Sequence, residues 1–223
     1  MIRKILLPTA VLFMFTACSM KMPTFSMPSF SMPSFFDSED KDLLSLKEAN
    51  LCQEIESLDS KLTCYKKIVD KNSYAQLRMG TYYADKKEYK DAVKYLEQAK
   101  SNDNIYANLA LAFLYYKGDG VKKDVNKSFE LLKESSNIDP NAAYQLARFY
   151  LQGINTKIDN QKGVELINFA ASKGVSTAQK MLINIHREGS FEQPRDQKKV
   201  EYWENIVKQN KENHLLEHKM FIH

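Results

Sequence analysis

The stretch ANLALAFLYYKG, residues 107–118, is the segment from which the architecture of this chain can be worked out. Two variants follow it, AAYQLARFYLQG at 142–153 and AQKMLINIHREG at 178–189, and their closing glycines lie 35 and 36 residues apart. A pattern with this period is typical of arrays in which each unit is a pair of helices. We therefore predict an all-α fold, a solenoid of stacked helix pairs.

The residues around each closing glycine predict where helices end and begin. Gly118, Gly153 and Gly189 each follow a predicted first helix, where a left-handed cap favours a residue without a Cβ. An aspartate comes six or seven residues later in each unit, where a carboxylate can accept N–H groups and meet the positive end of the second helix. These predicted caps are Asp124, Asp159 and Asp196.

The units also resemble known repeat families. Residues 73–101 resemble a tetratricopeptide repeat, with Met79-Gly80 and Tyr83 at its Leu-Gly and aromatic positions. The longer loop of the next unit, YYKGDGVKKD at 115–124, resembles that of the Sel1-like repeat. The third unit has Asn155 where that family has a second glycine, and the fourth has His186 at the aromatic position, which we expect in the core. The resemblance implies four Sel1/TPR-like repeats over residues 72–210.

By resemblance to tetratricopeptide arrays, certain positions on the first helix of each pair line a concave groove that binds a protein partner. Here an aromatic stretch runs into a basic one: the predicted groove residues are Tyr74, Leu77, Tyr106, Leu109, Phe113, Tyr116, Tyr144, Arg148, Leu151, Lys180, Asn184 and Arg187. Aromatic and arginine side chains are enriched at binding hot spots. A partner with an apolar segment followed by an acidic group would suit this groove. In the alternative interpretation, some of these tyrosines pack between helices.

The beginning of the chain predicts export and a lipid anchor. Residues 1–17 combine Arg3 and Lys4 with a short apolar run and small residues, as in a secretory signal peptide. The apolar run is shorter than the roughly 20 residues that span a bilayer. Cys18 directly follows and resembles the lipidated cysteine of bacterial lipoproteins, which implies acylation, for example with palmitate; an ordinary cleaved signal or an uncleaved anchor are the alternatives. By the same resemblance, Ser19 favours sorting to the outer membrane.

Residues 18–38 are predicted to be a disordered, extended tether. The motif Met-Pro-x-Phe begins at Met22, Met27 and Met32, and proline at this density disfavours both helix and central strand. The simplest interpretation is a spacer that holds the domain away from the membrane. The apolar side chains also permit a docking segment that contacts a membrane surface or a partner.

A cysteine-containing hairpin is predicted over residues 39–71. Two apolar periodic segments follow one another there, with Cys52 on the first and Cys64 on the second. The pattern resembles a helical-hairpin motif of periplasmic proteobacterial proteins in which two such cysteines are bridged; Lys61 and Lys66 replace its usual Arg and Asp. The resemblance implies a Cys52–Cys64 disulfide, and an exported chain would meet the oxidising conditions that maintain one.

Charge and motifs argue against several other classes of protein. The formal net charge is +4, of which Arg3 and Lys4 in the signal contribute two, so we expect no nucleic-acid partner. The sequence has no G-x-S-x-G, H-E-x-x-H or phosphate-loop motif, and we assign no catalytic residue and no cofactor. Residues 211–223 are predicted to be a tail or capping turn. We interpret its His214, His218 and His223 as solvated and not as a metal site, although the first two would share a helical face.

Together these features predict an outer-membrane lipoprotein that faces the periplasm. Its predicted role is that of a non-enzymatic scaffold or adaptor for an envelope assembly, such as a secretin or pilus, flagellar or secretion machine. One alternative is a secreted or surface-exposed factor that interacts with a host. A second, less favoured alternative is an enzyme or regulator related to the cell wall or to β-lactams.

Overall fold

The computed structural model describes residues 37–212, with the side chains of residues 41–210. In this part of the chain the secondary structure consists of helices joined by turns and loops. Its helices are α1 (Asp37–Gln53), α2 (Leu58–Ile68), α3 (Ser73–Asp85), α4 (Tyr89–Ser101), α5 (Ala107–Lys117), α6 (Val125–Ser135), α7 (Pro140–Gln152), α8 (Asn160–Ser172), α9 (Ser176–Glu188) and α10 (Gln197–Glu212). The predicted signal peptide, Cys18, nearly all of the tether and the three tail histidines lie outside the described residues. None of the described helices is long and apolar enough to cross a membrane.

Helices α3 to α10 form the repeat array as four successive pairs. Each odd-numbered helix packs against the next even-numbered one, and each pair packs against the following pair. The all-α solenoid predicted from the 35-residue period is therefore confirmed. The hairpin α1–α2 packs on α3 at the front of the array.

The turns between paired helices have the predicted conformation. Gly118, which follows α5, has φ +85°, and its N–H donates to the carbonyl of Leu114 at 2.8 Å. Gly153 and Gly189 end α7 and α9 in the same left-handed conformation. In the third unit Asn155 has φ +56°, as Gly120 has φ +73° in the second, because asparagine tolerates the left-handed region better than most residues. The loop conformation thus survives the loss of the second glycine.

Aspartates begin the second helices of the last three pairs. A carboxylate oxygen of Asp124 accepts the N–H of Lys127 at 2.8 Å. The same bond joins Asp159 to Lys162 at 2.9 Å and Asp196 to the N–H of Lys199 at 3.1 Å. Each therefore satisfies a backbone donor that has no partner within its helix, as predicted.

Small residues bring the paired helices close together. At Gly80 an added Cβ would lie 2.6 Å from Cγ of Leu96, and at Gly163 it would lie 2.6 Å from Cγ of Leu151. Alanines at small positions of the second helices, such as Ala92 and Ala170, are fully buried. Leucine, isoleucine and aromatic side chains pack with these small residues in the core.

A disulfide closes the hairpin, and a polar network attaches it to the array. Cys52 and Cys64 form a disulfide that joins α1 to α2, with their Cα atoms 5.5 Å apart. On α3, Arg78 donates to the carbonyl of Ala49, to the side chain of Asn50 and to the hydroxyl of Tyr65. This arginine therefore binds both helices of the hairpin at once.

At the other end of the array, α10 packs along α9. Trp203 packs against the core formed by α7, α8 and α9, and so covers the end of the solenoid. The neighbouring Tyr202 is 57% exposed, and its ring meets the Trp203 ring in a T-shaped contact with 5.1 Å between centroids. Adjacent helical residues point about 100° apart, so only one of the two can face α9. His186 is 3% exposed, so it fills the predicted position in the core.

Candidate partner-binding surface

The twelve predicted groove residues divide by exposure into three groups. Phe113 and Tyr116 on α5 are 41% and 38% exposed. Arg148, Lys180, Asn184 and Arg187 are also exposed, and Tyr74, Tyr106 and Tyr144 are half-buried. Leu77, Leu109 and Leu151 are only 5%, 7% and 6% exposed and belong to the core. The prediction of these three leucines as contact residues is therefore wrong, because each packs against a neighbouring helix instead of facing solvent.

The exposed aromatics surround a small cavity between α5, α6 and α7. Its buried floor consists of Ala112, Ser128, Leu132 and Phe149, and its volume is about 60 Å³. Its rim consists of Phe113, Tyr116, Gln145, Arg148 and Ile154. We call the rim and floor together the α5–α7 pocket. It brings predicted groove residues from two successive repeats to one place.

Ring contacts hold the aromatic rim in position. The Tyr116 ring lies 5.6 Å from the Phe149 ring, and Phe149 packs in turn against Phe129 at 6.1 Å. The ammonium group of Lys123, from the loop after Gly118, lies 5.9 Å from the Tyr116 ring centroid, within the range of a cation–π contact. Tyr116 is therefore supported from below and is flanked by a positive charge.

A difference between equivalent repeat positions explains why this pocket exists. Tyr116 and Leu151 both lie two residues before a closing glycine, yet only Tyr116 is exposed. In the third repeat, Leu151 fills the space left by Gly163 on α8. In the second repeat Ser128 occupies the equivalent position on α6, and it lines the cavity. Tyr116 does not fill the space beside Ser128 as Leu151 fills the space beside Gly163, and the cavity remains there.

Arg148 is the charged residue among those that line the pocket. Helices α5 and α7 contain no aspartate or glutamate, whereas they carry Lys117 and Arg148. Arg148 donates to the neutral side chain of Gln145 at 2.9 Å and has no carboxylate partner among the described residues. On α9, Lys180 is exposed, while Arg187 forms an ion pair with Glu204 at 2.7 Å. The basic character predicted for α7 and α9 is present, but the charge of Arg187 is already engaged.

Tyr74, the first predicted groove residue, is engaged with the hairpin. Its hydroxyl donates to a carboxylate oxygen of Asp42 on α1 at 3.2 Å. Burial, and then the negative charge of Asp42, raise the pKa of Tyr74 to about 12. The hydroxyl stays protonated and donates its hydrogen bond to Asp42. Tyr74 therefore contributes more to the attachment of α1 than to an exposed binding surface.

Two residues on the rim of the pocket, Gln145 and Ile154, were not among the predicted groove residues. Gln145 lies one helical turn before Arg148 and orients it, and Ile154 reaches the rim from the loop after Gly153. The three-residue spacing of Gln145 and Arg148 on one helix face is a usable signal for the first. No local signal identifies Ile154, because the loop conformation decides where its side chain points. In the described part of the chain, no group of three or more His, Cys, Asp or Glu side chains has the geometry of a metal site.

Comparison with known proteins agrees with this architecture. The sequence profile described as the Sel1 repeat matches residues 73–104, 105–137 and 140–175, which correspond to the first three helix pairs. Over 97 residues, 44% of this chain, the sequence is 31% identical to the alginate biosynthesis protein AlgK of Pseudomonas syringae pv. tomato. That match spans about a fifth of the length of AlgK, 21%.

Solved structures share the fold at low sequence identity. A Sel1 repeat protein from Oxalobacter formigenes superposes with a TM-score of 0.65 at 22% identity, covering 76% of this chain and 71% of the other. A protective antigen present in uropathogenic Escherichia coli strains, which displays an SLR fold, gives 0.60 at 18% identity, covering 76% of this chain and 38% of the other. An immunity protein from Pseudomonas aeruginosa gives 0.55 at 19% identity, with coverages of 75% and 68%.

Proposed function

We propose that this chain is a non-catalytic adaptor for an assembly of the bacterial cell envelope. The match of residues 73–104, 105–137 and 140–175 to the Sel1 repeat supports the proposal, because solenoids of stacked repeats present extended concave surfaces that bind other molecules. The observation that carries the proposal is the α5–α7 pocket, where Phe113 and Tyr116 remain exposed beside a cavity. Rigid aromatic side chains beside an arginine are the composition of a binding hot spot. The partner binds there, across the first helices of two successive repeats.

Three observations support a location in the envelope. Residues 1–17 have the composition of a secretory signal, and Cys18 follows it in the position of a lipidated cysteine. The Cys52–Cys64 disulfide suits an oxidising compartment such as the periplasm. The partial match to a protein of alginate biosynthesis is in keeping with this placement. On this proposal the chain is anchored in the outer membrane by acylated Cys18, and residues 37–212 face the periplasm.

Site-specific photo-crosslinking in intact cells tests the adaptor role. A photoreactive phenylalanine analogue is placed at Phe113, and in a second strain at Tyr202. Tyr202 is a matched control, because it is an aromatic residue on α10 with 57% exposure and lies outside the pocket. A discrete adduct formed from position 113 and absent from position 202 supports the proposal. Identical adducts from both positions, or none from 113, would refute binding at this surface.

Labelling and fractionation test the anchor and the compartment. Cells are grown with an alkyne-tagged palmitate, and the native chain is compared with a Cys18→Ser variant. We expect label on the native chain only, and release of the variant from the outer-membrane fraction. Digestion of intact cells with a protease then separates the two sides of the membrane. If the protease degrades the chain in cells that have not been permeabilised, the chain is displayed at the cell surface. That result would favour a host-interaction factor over a periplasmic adaptor.

A further inference from the structure

We infer that the α5–α7 pocket recognises a short acidic–apolar segment of its partner, in which a branched aliphatic side chain enters the cavity and a nearby carboxylate pairs with Arg148. The inference rests on the proposed scaffold function and names the chemistry of the partner that it requires. It follows from the size of the cavity and from the distribution of charge around it.

The cavity has the size and polarity of an aliphatic side chain. Its volume of about 60 Å³ is several times the roughly 10–15 Å³ that one water-sized group needs, so an aliphatic side chain of a few carbons can enter. The walls are Phe113, Tyr116, Leu132 and Phe149, so the entering group contacts carbon on most sides. Among the polar residues that line the cavity, Ser128 and Gln145 are uncharged, and the charged one, Arg148, lies on the rim. An apolar side chain is therefore favoured in the cavity over a charged one, which would lose its hydration there.

The charge next to the cavity requires a negative group on the partner. Among the described residues, the hydrogen-bond partner of Arg148 is the neutral Gln145, and Lys123 flanks the Tyr116 ring. No carboxylate lines the cavity, and the two glutamates of α6, Glu130 and Glu134, are paired with Lys133 and Lys100. A basic partner segment would bring like charges together, whereas an acidic one would pair with Arg148. The arginine guanidinium suits this role because it can form two parallel hydrogen bonds to one carboxylate.

The supporting contacts make this geometry available before a partner binds. Phe149 and Lys123 hold the Tyr116 ring, and Gln145 holds the guanidinium of Arg148. Both groups therefore lose little conformational freedom on binding, which favours affinity. On α9, Asn184 occupies the position equivalent to Arg148, and Arg187 occupies the position equivalent to Tyr116. Arg187 is paired with Glu204. The acidic–apolar preference is accordingly assigned to the second and third repeats.

A selection from a random peptide library tests the inference directly. The full chain in detergent is used to select from a phage-displayed library of random 12-residue peptides. The preferred sequence is then synthesised with a fluorescent label in four versions: unchanged, Leu→Ser, Glu→Gln and Glu→Lys. Binding is measured by anisotropy to the native chain, to Arg148→Glu, to the double variant Phe113→Ala/Tyr116→Ala, and to Lys90→Glu. Lys90 is an exposed lysine on α4, outside the pocket, and serves as the control for a change of charge.

The expected result is enrichment of leucine or isoleucine with aspartate or glutamate within three positions of it, on either side. On the native chain, Glu→Lys should weaken binding about tenfold or more, and Arg148→Glu should reverse this preference, while Lys90→Glu leaves it unchanged. Selected peptides that require Phe113 and Tyr116 but show no acidic preference would overturn the inference and leave the scaffold function standing. Peptides that bind independently of Phe113 and Tyr116, or no selection at all, would count against the pocket as a binding site. Thermal melting of each variant separates loss of binding from loss of the fold.

Discussion

Removing the Cys52–Cys64 disulfide should loosen the front of the array and leave its far end intact. The double variant Cys52→Ala/Cys64→Ser suits the test, because Cys52 is 1% exposed and alanine avoids burying a new hydroxyl there. The bridged residues are 12 positions apart. For a loop of this length, the chain-entropy relation gives about 3 kcal/mol of stabilisation.

The location of the effect follows from the contacts of the hairpin. The α1–α2 hairpin is attached mainly to α3, through Arg78 and through Asn72, which donates to the carbonyl of Ser45 and to Glu48. In a linear array each unit is stabilised chiefly by its neighbours, so a change at one end weakens with distance. About 3 kcal/mol corresponds to a change of roughly 100-fold in an equilibrium constant. We expect amide exchange in residues 37–69 to accelerate by about that factor.

Hydrogen exchange read by mass spectrometry measures this effect region by region. The native chain is compared with the double variant, each with and without dithiothreitol. Reduction should accelerate exchange of the native hairpin and should leave the variant unchanged, since it has no bridge to lose. The reasoning is refuted if hairpin exchange changes less than tenfold. It is also refuted if the amides of α9 respond as strongly as those of α1, because the effect would then not be local.

Three further perturbations test the packing and the caps. Gly163→Ala should destabilise the chain by about 1–3 kcal/mol in urea unfolding, because its Cβ would overlap Leu151; the loss should shrink in a Leu151→Ala background. Asp124→Ala should cost about 1 kcal/mol, whereas Asp124→Asn keeps the acceptor and most of the stability, so equal losses would contradict the cap assignment. Burial, and then the charge of Lys199, lower the pKa of His186 in the folded state. The unfolded chain, in which the pKa of histidine is about 6.5, therefore binds the proton more readily below that pH. Stability should therefore fall as the pH drops through that range, and a His186→Tyr variant should lose this part of the pH dependence in melting experiments.

Much of the fold could be predicted because its signals are local. The left-handed turn at Gly118 and the cap at Asp124 each depend on backbone groups within four residues, so the residue type alone indicates the structure. The position of His186 in the core followed from the repeat alignment in the same way. The Cys52–Cys64 disulfide was predicted by resemblance to a hairpin motif, and it is present in the structure.

The candidate site could be predicted only in part. Phe113, Tyr116 and Arg148 were correctly expected at the surface, but Leu109, four residues before Phe113 on the same helix, is buried. Periodicity places both residues on neighbouring parts of one helix face. It does not indicate how far the next helix pair extends over that face, and this extent decides which residue is covered.

The sequence by itself therefore determined the all-α fold of paired helices, the ends of those helices and the residue types on the first helix of each pair, because each of these depends on short-range interactions. Only the tertiary structure decided which of those residues form a pocket. Tyr116 and Leu151 have equivalent positions in the repeat, yet the space beside Gly163 on α8 accommodates Leu151 and the Ser128 side chain on α6 leaves a cavity beside Tyr116. Exposure at these positions depends on side-chain volumes contributed by another helix, and such volumes act only once the helices are packed.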